Sequence, residues 1–414
     1  MKPLTIGIAP DSFKGSLTAL EAAVCIERGF RRVFPRLSVR SIPMADGGEG
    51  TVQAVVEATG GRFVSCAVLD PLGRTIRATY GFSGDRKTAV IEMAAASGLP
   101  LLRPAERNPL ITSTYGTGQL IRNALDRRAR RILIGIGGSA TNDGGTGMAR
   151  ALGVTFLDAR GRVLPQGGGA LTRLARIATD GLDARLRDVS VDVACDVDNP
   201  LFGPRGAAFV YAPQKGATPA MVRRLDAGLR QLAGVVKKSM DVDIARVPGA
   251  GAAGGLGGGL MAFLGARLRP GVQIVAECVS LRERLAGCDL VITGEGRMDG
   301  QTVHGKTPAG VARVAKAMGI PVIAICGSLG KGADQVLRAG IDAYFSALEE
   351  PVAEEQLPAR APRMLEDCAE QVARVLAMGG ERARGARPSK GRRVPRDLEG
   401  GAPATPRVLK EGLR

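Results

Sequence analysis

CDLVITGEGRMDGQTVHGKTPAG, residues 288–310, opens with a short apolar run, Asp289 to Thr293, that reads as a buried strand. The run breaks into a loop in which Glu295, Arg297, Asp299, the single histidine (His304) and Lys306 alternate with four glycines. Thr307-Pro308 then starts a helical pattern that lasts through Met318, proline being suited to a first helical turn. Charges of both signs at the carboxyl end of a strand, facing a helix start, are what anion and metal–phosphate chemistry requires.

Within this stretch Gly300–Thr307 matches the phosphate-loop pattern G-x-x-x-x-G-K-[ST]. A phosphate loop has its first glycine directly after the strand, whereas six residues, Gly294 to Asp299, intervene here. Lys306 is therefore expected to meet phosphate as a lysine at a helix N-terminus, without a phosphate-loop fold behind it.

Outward from this stretch, short apolar runs alternate with helical spacing at both chain ends. Leu4–Ala9, Val39–Pro43, Leu290–Thr293, Val322–Cys326 and Ala343–Phe345 read as strands, separated by helical patterns at Leu17–Phe34, Thr51–Ala58, Ala309–Met318, Asp334–Ala339 and Glu354–Ala377. The middle differs. Phe63–Leu69, Thr75–Phe82 and Thr88–Met93 are β-type runs joined by turn residues, a hairpin meander. A helix near Gly116–Arg127, a strand at Arg131–Ile136 and a helix at Pro219–Val236 follow. The expectation is an α/β protein of two domains. A parallel-sheet domain is built from both chain ends (1–60 plus 286–378), and a mixed α/β domain (61–285) is inserted into it. Residues 379–414, rich in Gly, Arg, Pro and Ala without periodicity, read as a basic disordered tail.

Composition narrows the function. Hydrophobic residues are 45% of 414, so a sizeable core is expected, and no apolar run approaches the ~20 residues of a membrane span. The start, Met1-Lys2-Pro3-Leu4, runs into a strand rather than a signal peptide, so a cytoplasmic location is expected. Seven cysteines without a CxxC pair read as reduced thiols, and a Cys/His metal site is excluded by the single histidine. Any metal should be Mg²⁺ on carboxylates and phosphates. The net charge of +17 raises nucleic acid as a partner, but aromatic residues are 3% and tryptophan is absent, so stacking platforms are scarce. Ten basic against four acidic residues in 379–414 give that tail a net of +6, suited to nonspecific contacts.

Six loops combine glycine with polar groups, each after a strand-like run: 9–16, 43–51, 135–147, 195–204 with 213–218, 248–259, and the loop after Thr293. Glycine is 58 of 414 residues, about twice the usual share, so some clusters reflect only turns and packing. In DSFKGS, Lys14 lies between Asp11 and Ser16 and suits a carboxylate or phosphate. Asp46 and Glu49 straddle glycines at a helix start, as ligands or as caps. The loop 135–147 joins converging backbone N–H groups to Ser139, Thr141 and Asn142 as donors. Asp196 and Asp198 fall on one side if their strand continues, suiting Mg²⁺ or a general base. The uncharged run 248–259 can only cradle or pack.

Taken together, IAPDSFKGSLTALEAA, PMADGGEGT, IEMAAASGL, STYGTGQLI, IGIGGSATNDGGTGM, ACDVDNPLFGP, PQKGAT, PGAGAAGGLGGG and VITGEGRMDGQTVHGKTPAGVA, in consistent order over about residues 4–375, resemble the bacterial type 1 glycerate kinases. That resemblance implies a two-domain α/β enzyme, one domain Rossmann-like, that phosphorylates D-glycerate with ATP and Mg²⁺ in the cleft between its domains, 2-phosphoglycerate being favoured over 3-phosphoglycerate as product. It implies Asp196, Arg297, Lys14 and Asp46 as catalytic residues, with Asp196 first and Asp46 second for orienting or deprotonating the hydroxyl. Asp11, Ser12, Lys14, Asp198, Asn199 and Lys215 are implied for the substrate. Gly137, Gly138, Ser139, Thr141, Asn142, Glu295 and Lys306 are implied for the nucleotide, and Asp46, Glu49 and Glu295 for the metal. A kinase for another small hydroxy acid and a non-catalytic basic nucleotide- or nucleic-acid-binding protein are the competing expectations.

Overall fold

In the computed structural model, which describes the backbone of residues 4–385, strand Thr5–Pro10 is buried along its whole length. It lies inside a five-stranded sheet in the order Ala343–Ser346, Val322–Cys326, Leu290–Gly294, Thr5–Pro10, Ser38–Ser41, with every pairing parallel. Burial on both faces explains why Leu290–Gly294 and Val322–Cys326 are continuous apolar runs rather than alternating ones. The strands come from residues 5–41 and 290–346, so the sheet is closed by the two distant parts of the chain.

A six-stranded mixed sheet takes its strands from residues 62–269, in the order Arg267–Arg269, Ser190–Ala194, Arg131–Gly135, Thr88–Glu92, Thr75–Phe82, Arg62–Leu69. Its first four strands are parallel and the last two turn antiparallel as a hairpin. Met1–Ala373 forms one compact unit that holds both sheets. The separate unit Arg374–Arg414 is helical as far as Gly385. The expected tail thus begins within this helix, and residues 386–414 lie outside the described residues.

Two other expectations are corrected, and the packing expected of the uncharged glycine run is observed. Ala333–Ala339 is a 3₁₀ turn rather than an α-helix. The glycine-rich run holds a helix, Ala252–Leu264, whose start bends through left-handed Ala253, Gly254 and Gly255, and it packs: a Cβ on Gly254 would fall 2.0 Å from the Thr141 carbonyl oxygen. Strand Ser190–Ala194 stops before Asp196, so Asp196 and Asp198 are loop residues without strand alternation.

Helix Ala19–Val33 starts at a capping box in which the Glu21 N–H donates to Thr18 Oγ1 (3.2 Å) and the Thr18 N–H to Glu21 Oε2 (2.8 Å). Its far end holds helix Leu357–Gly385 through Arg32, which donates to Asp367 (2.8 Å), Glu366 (2.9 Å) and Glu370 (3.1 Å). Gly29 sits at the contact, where an added Cβ would come within 2.3 Å of the Glu366 carbonyl oxygen. Gly29→Ala is therefore expected to lower stability by about 1–3 kcal/mol through overpacking, despite its better helix propensity. Thermal unfolding checks this, and a raised melting temperature would contradict the packing.

Candidate active site

The five-stranded sheet reverses its build direction between Thr5–Pro10 and Leu290–Gly294, and the residues after those two strands begin the site. Asp11 and Glu295 follow directly, both buried. Each carboxylate is held by one hydroxyl from the loop before helix Thr307–Lys316 or from its first residue. Thr307 Oγ1 donates to Asp11 Oδ2 (2.5 Å), and Thr302 Oγ1 donates to Glu295 Oε1 (2.6 Å). The Ser12 N–H also donates to Asp11 Oδ1 (2.6 Å). Burial, with the Asp46 charge second, raises the Asp11 carboxyl to about 6. Burial likewise pushes Glu295 to about 7, against the hydrogen bond from Thr302 and the charge of Lys306, whose Nζ is 4.0 Å away.

Asp46 is positioned by a loop wedged between the carboxyl edges of both sheets. The Met44 N–H donates to the Pro10 carbonyl (2.9 Å), so the loop, which follows strand Ser38–Ser41, is tied to the end of strand Thr5–Pro10. Gly47 has φ of +90°, and a Cβ there would lie 2.3 Å from the Ala194 Cβ. A Cβ on Gly271 would fall 1.8 Å from the Asp46 carbonyl oxygen, and one on Gly135 2.5 Å from that of Gly47. The Asp46 carboxylate accepts from the Gly48 N–H at 3.0 Å. The next helix, Thr51–Thr59, is capped from the other sheet by Glu92, whose Oε1 accepts from the Val52 N–H (2.9 Å).

A cavity of about 550 Å³ takes in Asp11, Ser12, Lys14, Asp46, Glu295, Arg297 and Lys306. A second, of about 670 Å³, takes in Asp196, Asp198 and Asn199 from one side and His304 and Gly305 from the other. Asp196 opens to solvent on one side. Desolvation on its protein side, with the Asp46 charge, nevertheless raises its carboxyl to about 6, while the Gly271 N–H donates to it at 3.1 Å. Asp46 is thus the group electrostatically shared by Asp11 and Asp196. Glu49 and Glu92 line a third cavity, of about 490 Å³, with Lys14 and Ser12.

This geometry redistributes the expected residues. Asp11, Ser12 and Lys14 join Glu295, Arg297 and Lys306, so groups expected for substrate and for nucleotide share one cavity. Asp198 instead pairs with Arg205 at 3.0 Å on the surface, and the Asn199 amide is engaged by Tyr211 and the Arg205 carbonyl. Lys215 is buried against the glycine loop, donating to the Thr141 carbonyl (2.6 Å) and Ser139 Oγ (3.3 Å), and its burial lowers it to about 7. Gly137 and Gly138 are exposed, whereas Ser139, Thr141 and Asn142 are buried, with both amide atoms of Asn142 unpartnered. Among the described residues no three His, Cys, Asp or Glu side chains gather as a metal cage. Asp46 and Glu295 face one cavity and Glu49 another, a donor set that fits Mg²⁺ carried on substrate phosphates, which takes only one or two carboxylates. Glu92, Thr302 and Thr307 were not singled out from the sequence. The two threonines were legible as hydroxyls flanking the charged loop. Between strand Leu290–Gly294 and helix Thr307–Lys316 come a short strand (Arg297–Met298) and a 3₁₀ turn (Thr302–His304), so no phosphate loop forms.

A parallel sheet with buried carboxylates and flanking cations at its switch point, joined to a mixed second sheet, defines a mixed α/β protein. The chain belongs to the glycerate kinase family, whose sequence profile matches residues 6–377. It is 55% identical over 371 residues to a glycerate kinase of Halalkalibacterium halodurans, covering 90% of this chain and 98% of that one. It is 54% identical over 345 residues to the glycerate 2-kinase of Escherichia coli K12, covering 83% and 91%. A crystal structure from Salmonella typhimurium LT2, assigned as a glycerate kinase 2, superposes with a TM-score of 0.86 at 50% identity over 92% of this chain and 100% of that one. Among the described residues no helix is long and apolar enough to cross a membrane.

The raised Glu295 carboxyl has a consequence for stability. Its stabilising contribution is complete below pH ~4.5 and is lost as pH rises through about 7, because the folded protein holds the proton more tightly than the unfolded chain. Glu295→Gln keeps the acceptor for Thr302 and removes the charge. It is expected to raise the melting temperature by a few degrees at pH 8, with the difference closing by pH 4.5 in melting curves taken across that range.

Proposed function

We propose that this chain is a glycerate kinase that transfers the γ-phosphoryl group of ATP to a hydroxyl of D-glycerate by in-line displacement. The observation that carries the reading is the cavity in which Lys14, Arg297 and Lys306 stand beside the carboxylates of Asp11, Asp46 and Glu295 at the sheet's switch point. Phosphoryl transfer demands this mixture, positive groups for the phosphates and oxygen ligands for their cation, and little covalent machinery. The five- and six-stranded sheets act as two domains, with Asp46 on the wedge between them.

In this assignment Lys14, Lys306 and Arg297 meet the phosphates, and Asp46 and Glu295 hold the nucleotide's Mg²⁺. When bound, that ion neutralises charge on the phosphate oxygens. Glycerate takes the side of Asp46 that faces Asp196, and the Asp196 carboxylate accepts the proton of the attacking hydroxyl. A carboxyl raised to about 6 is largely ionised at neutral pH and more basic than an ordinary aspartate, which suits a general base. The exposed Gly137, beside Gly48, and its neighbour Gly138 border the transferred group. The relative named a glycerate 2-kinase supports 2-phosphoglycerate as the product. The chain works in the cytoplasm, where its nucleotide is made.

Asp196→Asn is expected to lower kcat by about 10²–10⁴ without lowering the melting temperature. Near-normal turnover would remove Asp196 from its role. The acid limb of kcat/KM for the wild type should fall between about 6 and 7, where Asp196, Asp11 and Glu295 take up protons. ADP release measured with glycerate, lactate, tartronate and glycolate, with the product position read by phosphorus NMR, should show glycerate preferred and phosphate on the 2-hydroxyl. A preference for another acid would transfer the reading to that substrate.

A further inference from the structure

The cavity that holds Lys14, Arg297 and Lys306 has a second, chemically different wall. Leu348, Val352, Leu357, Ala361 and Met364, from the segment after strand Ala343–Ser346 and the first turns of helix Leu357–Gly385, line it without a charge among them. In the kinase reading a three-carbon acid and the phosphates need only the polar end. The apolar end therefore has no partner in phosphoryl transfer itself.

That wall is fixed rather than loose. The Ala347 N–H donates to the Cys326 carbonyl (2.7 Å) and the Leu348 N–H to the Gly327 carbonyl (3.0 Å), seating Leu348 at the sheet's carboxyl edge. Met364 and Leu365 are buried, and the helix behind them is held to helix Ala19–Val33 by the Arg28 and Arg32 bridges to Glu366. A cavity of this size, with charge at one end and a rigid apolar shelf at the other, matches a ligand that is anionic at one end and flat and apolar at the other.

We infer that this shelf is the nucleoside-binding surface, and that the base and ribose of the nucleotide lie against Leu348, Leu357 and Ala361 while the phosphates run toward Lys14 and Lys306. This rests on the kinase reading above and adds to it which part of the chain recognises the nucleoside. It places nucleoside recognition in the segment 347–364, away from the glycine loop 135–147.

The test separates the two ends of the ligand. Ala361→Phe, at a half-buried position in the first turns of the helix, fills the shelf, and Leu348→Asp, at a position already 38% exposed, charges it. Binding of the non-hydrolysable analogue AMP-PNP with Mg²⁺, and of inorganic tripolyphosphate with Mg²⁺, is measured by calorimetry on the full chain. Both variants should bind AMP-PNP at least tenfold more weakly than wild type, while tripolyphosphate affinity stays within twofold, which also shows that the variants fold. Unchanged AMP-PNP affinity, or an equal loss for both ligands, overturns the assignment. A wild type that binds AMP-PNP in this manner but does not phosphorylate glycerate overturns the kinase reading and leaves the shelf assignment standing.

Discussion

Between the carboxyl edges of the two sheets there is no room for a Cβ atom. Gly47 lies against Ala194, Gly271 against the Asp46 backbone, and Gly135 against the Gly47 carbonyl, so three glycines from three separate segments meet at one point. Asp46 leaves the chain at that point, and its carboxylate is felt by Asp11 on one side and Asp196 on the other. A methyl group at any of the three glycines would push the loop off one sheet or the other. The alignment of the two halves of the site is thus set by backbone contact, which tolerates far less adjustment than side-chain packing.

The electrostatics follow from that closeness. Asp11, Asp196 and Glu295 all have raised pKa values with desolvation as the leading cause, and among the described residues Lys306 is the cation that pairs with Glu295, at 4.0 Å. Carboxylates left this way are poorly compensated within the protein and are better compensated by a cation that arrives with a ligand. Asp192, wholly buried, differs in being bridged by two cations, Arg131 and Arg267. The contrast separates an acid paired with cations in the fold from acids held mainly by hydroxyl and backbone N–H groups.

Much of the fold was legible in the residues. Thr75–Phe82 and Val322–Cys326 occur where alternation and apolar continuity place them. Strand Arg267–Arg269 was not legible, being three residues long with two arginines whose place in the sheet is set by the distant Asp192. Helix Ala252–Leu264 was hidden by glycines that local propensity counts against a helix and that tertiary contact with Gly144 and Thr141 requires. In the site, Asp11, Lys14, Glu295 and Lys306 stood out because polar groups after buried strands are conspicuous. Their grouping into one cavity, and the separation of Asp196, Asp198 and Lys215 from them, depended on how the loops fold over the sheets. No spacing in the chain encodes that.

Strand Thr5–Pro10 is synthesised long before its neighbour Leu290–Gly294, the Thr5 N–H donating to an Asp289 carboxylate 284 positions away. Until that segment emerges from the ribosome, one whole edge of the first strand has only water or a stranger to pair with. The six-stranded sheet, drawn from a continuous run of chain, can complete itself earlier. The topology thus favours the six-stranded sheet first and the five-stranded sheet last, closed only when its two distant segments meet.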